Sequence, residues 1–197
     1  MDVAGILLTG GASRRMGTDK SVLAAADGRP LAARTGCLLA AVTALAVEVG
    51  PGRSGLPAVA EHPPAAGPLA AVAAGVAWLA AAGWHGPALV VSTDLPLLDA
   101  PLLAWLAAHP APANVVPAVD GFPQWLCARY DGPTLAAAGG LVAAGQRRLA
   151  ALFAGRLVHL AAPEEWTAAG AGPLAPIDAD TPEELALLTG GAQGARR

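Results

Sequence analysis

The chain has 197 residues, enough for one domain with a substantial core and too few for two full-sized ones. Hydrophobic residues make up 54% of it, but much of that is alanine, and Gly, Pro or a charge interrupts each apolar stretch before the roughly 20 residues a membrane-spanning helix needs. A net charge of −3 with no cluster of basic residues lacks the electrostatic footprint of a nucleic-acid binder, so the expected partner is a small molecule, with no nucleic acid and no membrane.

The opening Met1-Asp2-Val3 has no basic segment ahead of an apolar block, unlike a secretory signal, so cytoplasmic residence is the expectation. Residues 3–8 form a short apolar run that meets Thr9-Gly10-Gly11, which predicts a first strand entering a loop. Pro30 marks a helix start, and Leu31, Arg34, Leu38, Ala41 and Val42 recur at helical spacing before an extended stretch at 44–49. A short strand is predicted at 58–61 and an alanine-rich helix at 68–82. Residues 88–93 are continuously apolar and end at Asp94, the pattern of a strand buried on both faces. A helix at 101–108, strands at 115–119 and 125–130, a helix at 135–144 and a strand at 157–160 follow. Thr181-Pro182-Glu183-Glu184 joins a capping-box pattern to proline at the first helical position and leads into Leu185, Leu187 and Leu188, a final helix. One domain over 1–188 with a flexible tail at 189–197 is expected.

Strands alternating with helices predict an α/β fold with a mostly parallel sheet covered on both faces. Ligands in such sheets sit at the carboxyl ends of strands. The Gly-rich segment after Leu8 and the carboxylate of Asp94 both fall at predicted strand ends, so they are expected to share one crevice. The cysteines, Cys37 and Cys127, match no metal-ligand spacing and read as free buried thiols. His62, His85, His109 and His159 likewise show no ligand spacing and are assigned no function, and the five tryptophans read as core or loop anchors. Gln124, Arg129 and Tyr130, and the strip Gln146-Arg147-Arg148, read either as contacts for an anionic acceptor or as solvated surface.

Residues 8–20, Leu-Thr-Gly-Gly-Ala-Ser-Arg-Arg-Met-Gly-Thr-Asp-Lys, combine what a polyphosphate site requires. Glycines let backbone N–H groups approach anionic oxygens, and Arg14, Arg15 and Lys20 bring positive charge. Of twelve basic residues, Lys20 is the sole lysine and the other eleven are arginine. A compact ammonium is therefore retained where a planar guanidinium is otherwise preferred. A Walker A loop places lysine directly after its last glycine, whereas Lys20 follows Gly17 by three; Gly10 and Gly11 are adjacent, which is not G-x-G-x-x-G. P-loop and dinucleotide-binding readings lose their main support.

This segment resembles the opening signature L-A-G-G-x-S-x-R-M-G-x-D-K of the molybdenum cofactor guanylyltransferases, within the wider MobA-like nucleotidyltransferases, and departs from it at Thr9 alone. Weaker echoes follow in the family's order: Gly67-Pro68-Leu69-Ala70, Asp94-Leu95-Pro96 and Asp180-Thr181-Pro182-Glu183. The resemblance implies a Rossmann-like three-layer nucleotidyltransferase fold and transfer of GMP from Mg-GTP to the terminal phosphate of molybdopterin, releasing pyrophosphate. Magnesium is the implied cofactor, GTP and molybdopterin the substrates, and transient contact with other molybdenum cofactor proteins a further expectation. Carried over by position, Leu8, Thr9, Gly10, Gly11 and Gly67 lie along the nucleotide, Arg15 and Lys20 face its phosphates, and Asp94 holds the magnesium. Arg15, Lys20 and Asp94 are the expected catalytic residues. Glu61 falls near the family's guanine-reading aspartate, Ala71 stands where a glycine often completes Gly-Pro-Leu-Ala-Gly, and Asp178 and Asp180 replace asparagines. Asp180 is read as a cap acceptor beside Thr181, with a second metal ligand as the alternative. The paired glycines favour the guanylyl over the cytidylyl form; a cytidylyltransferase on the same fold and a non-catalytic nucleotide-binding protein are the alternatives.

Overall fold

The computed structural model describes residues 2–10, 25, 27–109 and 114–194. Strand β1 (Ala4–Leu8) lies between β2 (Ala46–Val49) and β4 (Ala88–Ser92) and runs parallel to both. β3 (Ala58–Val59) continues the parallel set beyond β2. On the other side β7 (Cys127–Tyr130) runs antiparallel to β4, and β5 (Asn114–Val119) antiparallel to β7, which returns β5 to the direction of β1. β8 (Val158–Ala161) joins β5 in parallel, and β6 (Phe122–Pro123) folds back on β5. The sheet is thus mostly parallel, with order β3-β2-β1-β4-β7-β5 and both β6 and β8 on β5.

The continuous apolar runs are explained by a layer on each face. Ala4, Ile6 and Leu8 of β1 and Ala88 and Val90 of β4 face α2 (Pro68–Ala81), α4 (Gly132–Ala136), α5 (Ala138–Ala143) and the 3₁₀ turn Leu149–Phe153. The alternate residues, Val3 and Leu7, Leu89 and Val91, pack with Leu39 of α1 (Leu31–Val42), Leu102, Leu103 and Leu106 of α3 (Ala100–Ala108) and Trp166 of α6 (Pro163–Thr167). Every residue of β1 and β4 is buried, because side chains on both sides of the pleat meet a helical layer.

Several elements depart from the sequence expectation. The helix predicted at 135–144 divides into α4 and α5 at Ala137, and it begins earlier because Asp131 accepts the Thr134 N–H at 2.7 Å as an N-cap. β6, α6 and the 3₁₀ turn are too short to show a period. The last helix, α7 (Pro182–Gly194), runs through the boundary drawn at 188. Cys37 and Cys127 are free thiols, as read, but only Cys127 is buried; Cys37 lies on the exposed side of α1. Among the described residues no helix is long and apolar enough to cross a membrane.

Candidate functional site

The carboxyl ends of β3, β2, β1 and β4 lie side by side in that order. Just beyond them come Glu61, Gly50, Thr9 with Gly10, and Asp94. The strands leading to Glu61 and Asp94 are three inter-strand spacings apart, about 14 Å. One edge of the sheet therefore gathers residues separated by up to 85 positions in the chain, counting from Thr9 to Asp94.

The middle of this edge is held rigidly. The Leu8 carbonyl accepts the Thr93 N–H at 3.1 Å, and Thr9 and Gly10 donate their N–H groups to the Val49 carbonyl at 3.1 and 3.3 Å. Thr9 Oγ1 donates to Glu48 Oε1 at 2.5 Å. Glu48 is fully buried, and its carboxylate takes four further bonds: the Gly52 and Arg53 N–H groups on Oε1 at 2.8 and 3.0 Å, and the Ser54 N–H and hydroxyl on Oε2 at 2.7 and 2.6 Å. Burial pushes this carboxyl upward, but the bonds from Ser54, Thr9 and Arg53 outweigh it and hold Glu48 below the usual carboxylate range. Gly50 is required beside this anchor: a Cβ there stands 1.9 Å from Thr9 Oγ1, and φ is +154°.

At the β4 end, carboxylate oxygens of Asp94, Asp178 and Asp180 lie within 4.8 Å of one another. Ser92 Oγ donates to Asp94 Oδ1, and the Asp94 carbonyl accepts the Ala179 N–H at 2.9 Å, which ties the segment carrying the other two aspartates to the strand end. Three hard oxygen donors suit a hard divalent cation that keeps water and phosphate ligands. The cap reading of Asp180 is corrected here. Thr181 Oγ1 accepts the Glu184 N–H, while Glu184 Oε2 accepts the N–H groups of Asp180 and Thr181, so Thr181 is the cap and Asp180's carboxylate joins Asp94.

At the β3 end, Glu61 Oε1 accepts the Ala65 N–H at 2.8 Å. Its Oε2 is buried and, among the described residues, has no hydrogen-bond partner. Gly67 opens α2 at φ +102° and ψ 174°, a conformation suited to glycine, and the Arg147 carbonyl lies 3.6 Å from where its Cβ would be. The exposed strip Gln146-Arg147-Arg148 thus borders the α2 N-terminus.

A pocket of about 200 Å³ opens beside Asp94, lined among others by Ser92, Gln124, Trp125 and Asp178. Gln124 is placed on it; Tyr130 is not. Tyr130 is fully buried and its hydroxyl donates to the Trp125 carbonyl, so both readings of Tyr130 as an acceptor contact and as solvated surface are overturned. Gly11, Arg14, Arg15 and Lys20 lie outside the described residues. His109 and His159, fifty residues apart and given no function from their spacing, meet Glu165 in a second cluster away from this edge.

The profile of the MobA-like NTP transferase domain matches residues 5–160. The chain belongs to this family. Its relatives among the MobA-like transferases include a molybdenum cofactor guanylyltransferase of Rhodobacter capsulatus, 38% identical over 193 residues and 94% of each chain. A protein of Deinococcus radiodurans named as a probable molybdenum cofactor guanylyltransferase is 34% identical over 93% of this chain and 92% of its own. Of solved structures, molybdopterin-guanine dinucleotide biosynthesis protein A of Archaeoglobus fulgidus superposes with a TM-score of 0.75 at 18% identity, over 98% of this chain and 100% of that one. The 2-C-methyl-D-erythritol 4-phosphate cytidylyltransferase of Thermus thermophilus reaches 0.66 at 17% identity, over 98% and 100%. These likenesses establish the Rossmann-like nucleotidyltransferase fold expected from the sequence. Because the MobA-like fold is shared by a cytidylyltransferase, it does not choose the base.

Proposed function

We propose that this chain is a molybdenum cofactor guanylyltransferase, transferring GMP from Mg-GTP to the terminal phosphate of molybdopterin and releasing pyrophosphate. The observation that carries the guanyl assignment is the buried, unpartnered Oε2 of Glu61 on the same sheet edge as the aspartate cluster. An ionised carboxylate only accepts hydrogen bonds. Guanine offers two adjacent donors, N1–H and N2–H, whereas the pairing edge of cytosine presents N3 and O2 as acceptors beside its N4 amino group. The family's guanine-reading aspartate and the two guanylyltransferase names among the relatives agree with this choice.

The nucleotide lies across the edge, with its base at Glu61 and Gly67, its middle along Leu8, Thr9, Gly10 and Gly11, and its phosphates toward Asp94, Arg15 and Lys20. Asp94, with Asp178 and Asp180 beside it, would hold magnesium, which would supply neutralising charge to the phosphate oxygens. The acceptor phosphate attacks the α-phosphorus in line and pyrophosphate departs, so Lys20 and Arg15 offset charge gathering on the leaving group. The pocket lined by Gln124 and Trp125 receives the acceptor on the far side of Asp94 from the base.

The test is pyrophosphate release with GTP, CTP, ATP and UTP in turn, with and without molybdopterin, on wild type and Lys20→Ala. Release that needs both GTP and molybdopterin, and that falls by two orders of magnitude or more in the variant, is expected. Equal rates with CTP would remove the guanylyl assignment. Binding of Mg-GTP without turnover would favour a non-catalytic nucleotide-binding protein.

A further inference from the structure

On the α3 and α6 side of the sheet, His109, His159 and Glu165 each place one ligand atom within 4.8 Å of the other two. They come from three elements: His109 ends α3, His159 lies on β8 and Glu165 on α6. His159 Nε2 is 2.7 Å from Glu165 Oε2, and the other oxygen of Glu165 accepts the Ala162 N–H at 2.8 Å, which orients the carboxylate. The His109 ring is 5.1 Å from Trp105, edge-on, and 5.3 Å from His159. The cluster is remote from the aspartates. His159 pairs with Val115, Val115 with Arg129 and Arg129 with Leu89, five residues before Asp94, so the His159 row lies about 16 Å back along the strands.

From this arrangement we propose a second metal site, in which His109, His159 and Glu165 bind one zinc-class transition-metal ion, with water in the fourth position. Two imidazoles and one carboxylate are a set that takes Zn²⁺ and rejects Mg²⁺, which wants oxygen donors alone. Tetrahedral coordination with bonds near 2.1 Å sets ligand atoms about 3.4 Å apart. The ion therefore opens the 2.7 Å His159–Glu165 contact by about 0.7 Å and draws His109 inward, movements within reach of side-chain rotation. The side chains of His159 and Glu165 are 40% and 38% exposed, which gives an ion a path from solvent without unfolding.

The surrounding charges bear on affinity. Burial, with His159 and Arg129 nearby, holds His109 below the usual imidazole range, with Glu165 pulling the other way. Arg129, on the same sheet row, is a neighbouring cation that opposes a dication. Glu165 supplies the compensating negative charge; burial pushes its carboxyl upward, but the Ala162 N–H and His159 outweigh that and hold it below the usual range. The bound ion clamps edge strand β8 to α3 and α6, so its effect is on stability.

Full-length protein freed of metal by chelation is titrated with ZnCl₂ and CoCl₂ at pH 7.5. One equivalent of Zn²⁺, visible ligand-field bands with Co²⁺, and a Tm raised by roughly 5–10 °C at a hundredfold excess over Kd are expected. His109→Gln, His159→Gln and Glu165→Gln each weaken binding at least tenfold, Asp94→Asn leaves it intact, and His159→Gln keeps its Mg²⁺-dependent transfer activity. Circular dichroism verifies the fold of each variant, and the three ligand variants read the site independently. Absence of stoichiometric Zn²⁺ binding in wild type, or binding that survives all three ligand variants and disappears in Asp94→Asn, would overturn the proposal and leave the trio as an ion pair.

Discussion

Glu48 shows how one buried charge organises two loops. Five donors meet its two oxygens, from Thr9 after β1 and from Gly52, Arg53 and Ser54 after β2. Glu48→Gln keeps one acceptor oxygen and turns an NH₂ toward groups that are themselves donors, so a loss of about 1–3 kcal/mol is expected by chemical denaturation at pH 7. The carboxyl is depressed in the folded state, so the stability it contributes is present above its ordinary value of 4.5 and is lost as pH falls through the lower folded value. The gap between wild type and variant should accordingly narrow between pH 5 and pH 3; a constant gap would mean that the carboxylate charge is not what matters. Glu61 tests recognition at the same scale. Glu61→Gln leaves one acceptor oxygen to serve both the Ala65 N–H and guanine and turns an NH₂ toward one of these donors, so it should raise KM for GTP by roughly 10–100-fold with a smaller effect on kcat.

Among the elements, Asp99 is the clearest case of one side chain fixing two segments. Its Oδ1 accepts the Leu102 N–H at 2.9 Å as the N-cap of α3, and its Oδ2 accepts the Gly172 N–H at 2.7 Å. Gly172 in turn accepts from the indole of buried Trp166 at 3.2 Å, and the chain from there leads to Asp178 and Asp180. Asp99→Ala should cost about 1–3 kcal/mol by thermal or urea unfolding, more than a cap alone, because two N–H groups lose their acceptor. It should also raise the Mg²⁺ concentration needed for half-maximal transfer, since the segment carrying Asp178 is no longer pinned.

For the whole molecule, the two cores lie on opposite faces of one sheet and share β1 and β4. This supports the proposal of a single domain over 1–188, and it predicts that circular dichroism and tryptophan fluorescence trace one coincident thermal transition. Two separated transitions would show that the β5–β8 half unfolds independently. Asp94→Asn, at the strand end both halves share, should lower kcat by two orders of magnitude or more while the Tm changes little. A fall in activity matched by a fall in Tm would instead assign Asp94 to structure.

Local patterns were sufficient for much of this. The continuous run at 88–93 identified a strand covered on both faces, the run at 3–8 a first strand entering a loop, and Thr181 to Glu184 a helix start, because backbone periodicity and capping are written in adjacent residues; the family came from the resemblance of residues 8–20 to its signature. Short elements such as β6 and α6, the reversal of β7 and the break at Ala137 leave no period to read. Only the tertiary structure decided that Asp180 turns to Asp94 while Thr181 caps the helix, that Tyr130 is buried, that Thr9 pairs with Glu48, and that His109 and His159 meet at Glu165. Each depends on where chain crossovers bring side chains from distant positions, and the energy of such contacts has no signature in the spacing of either partner.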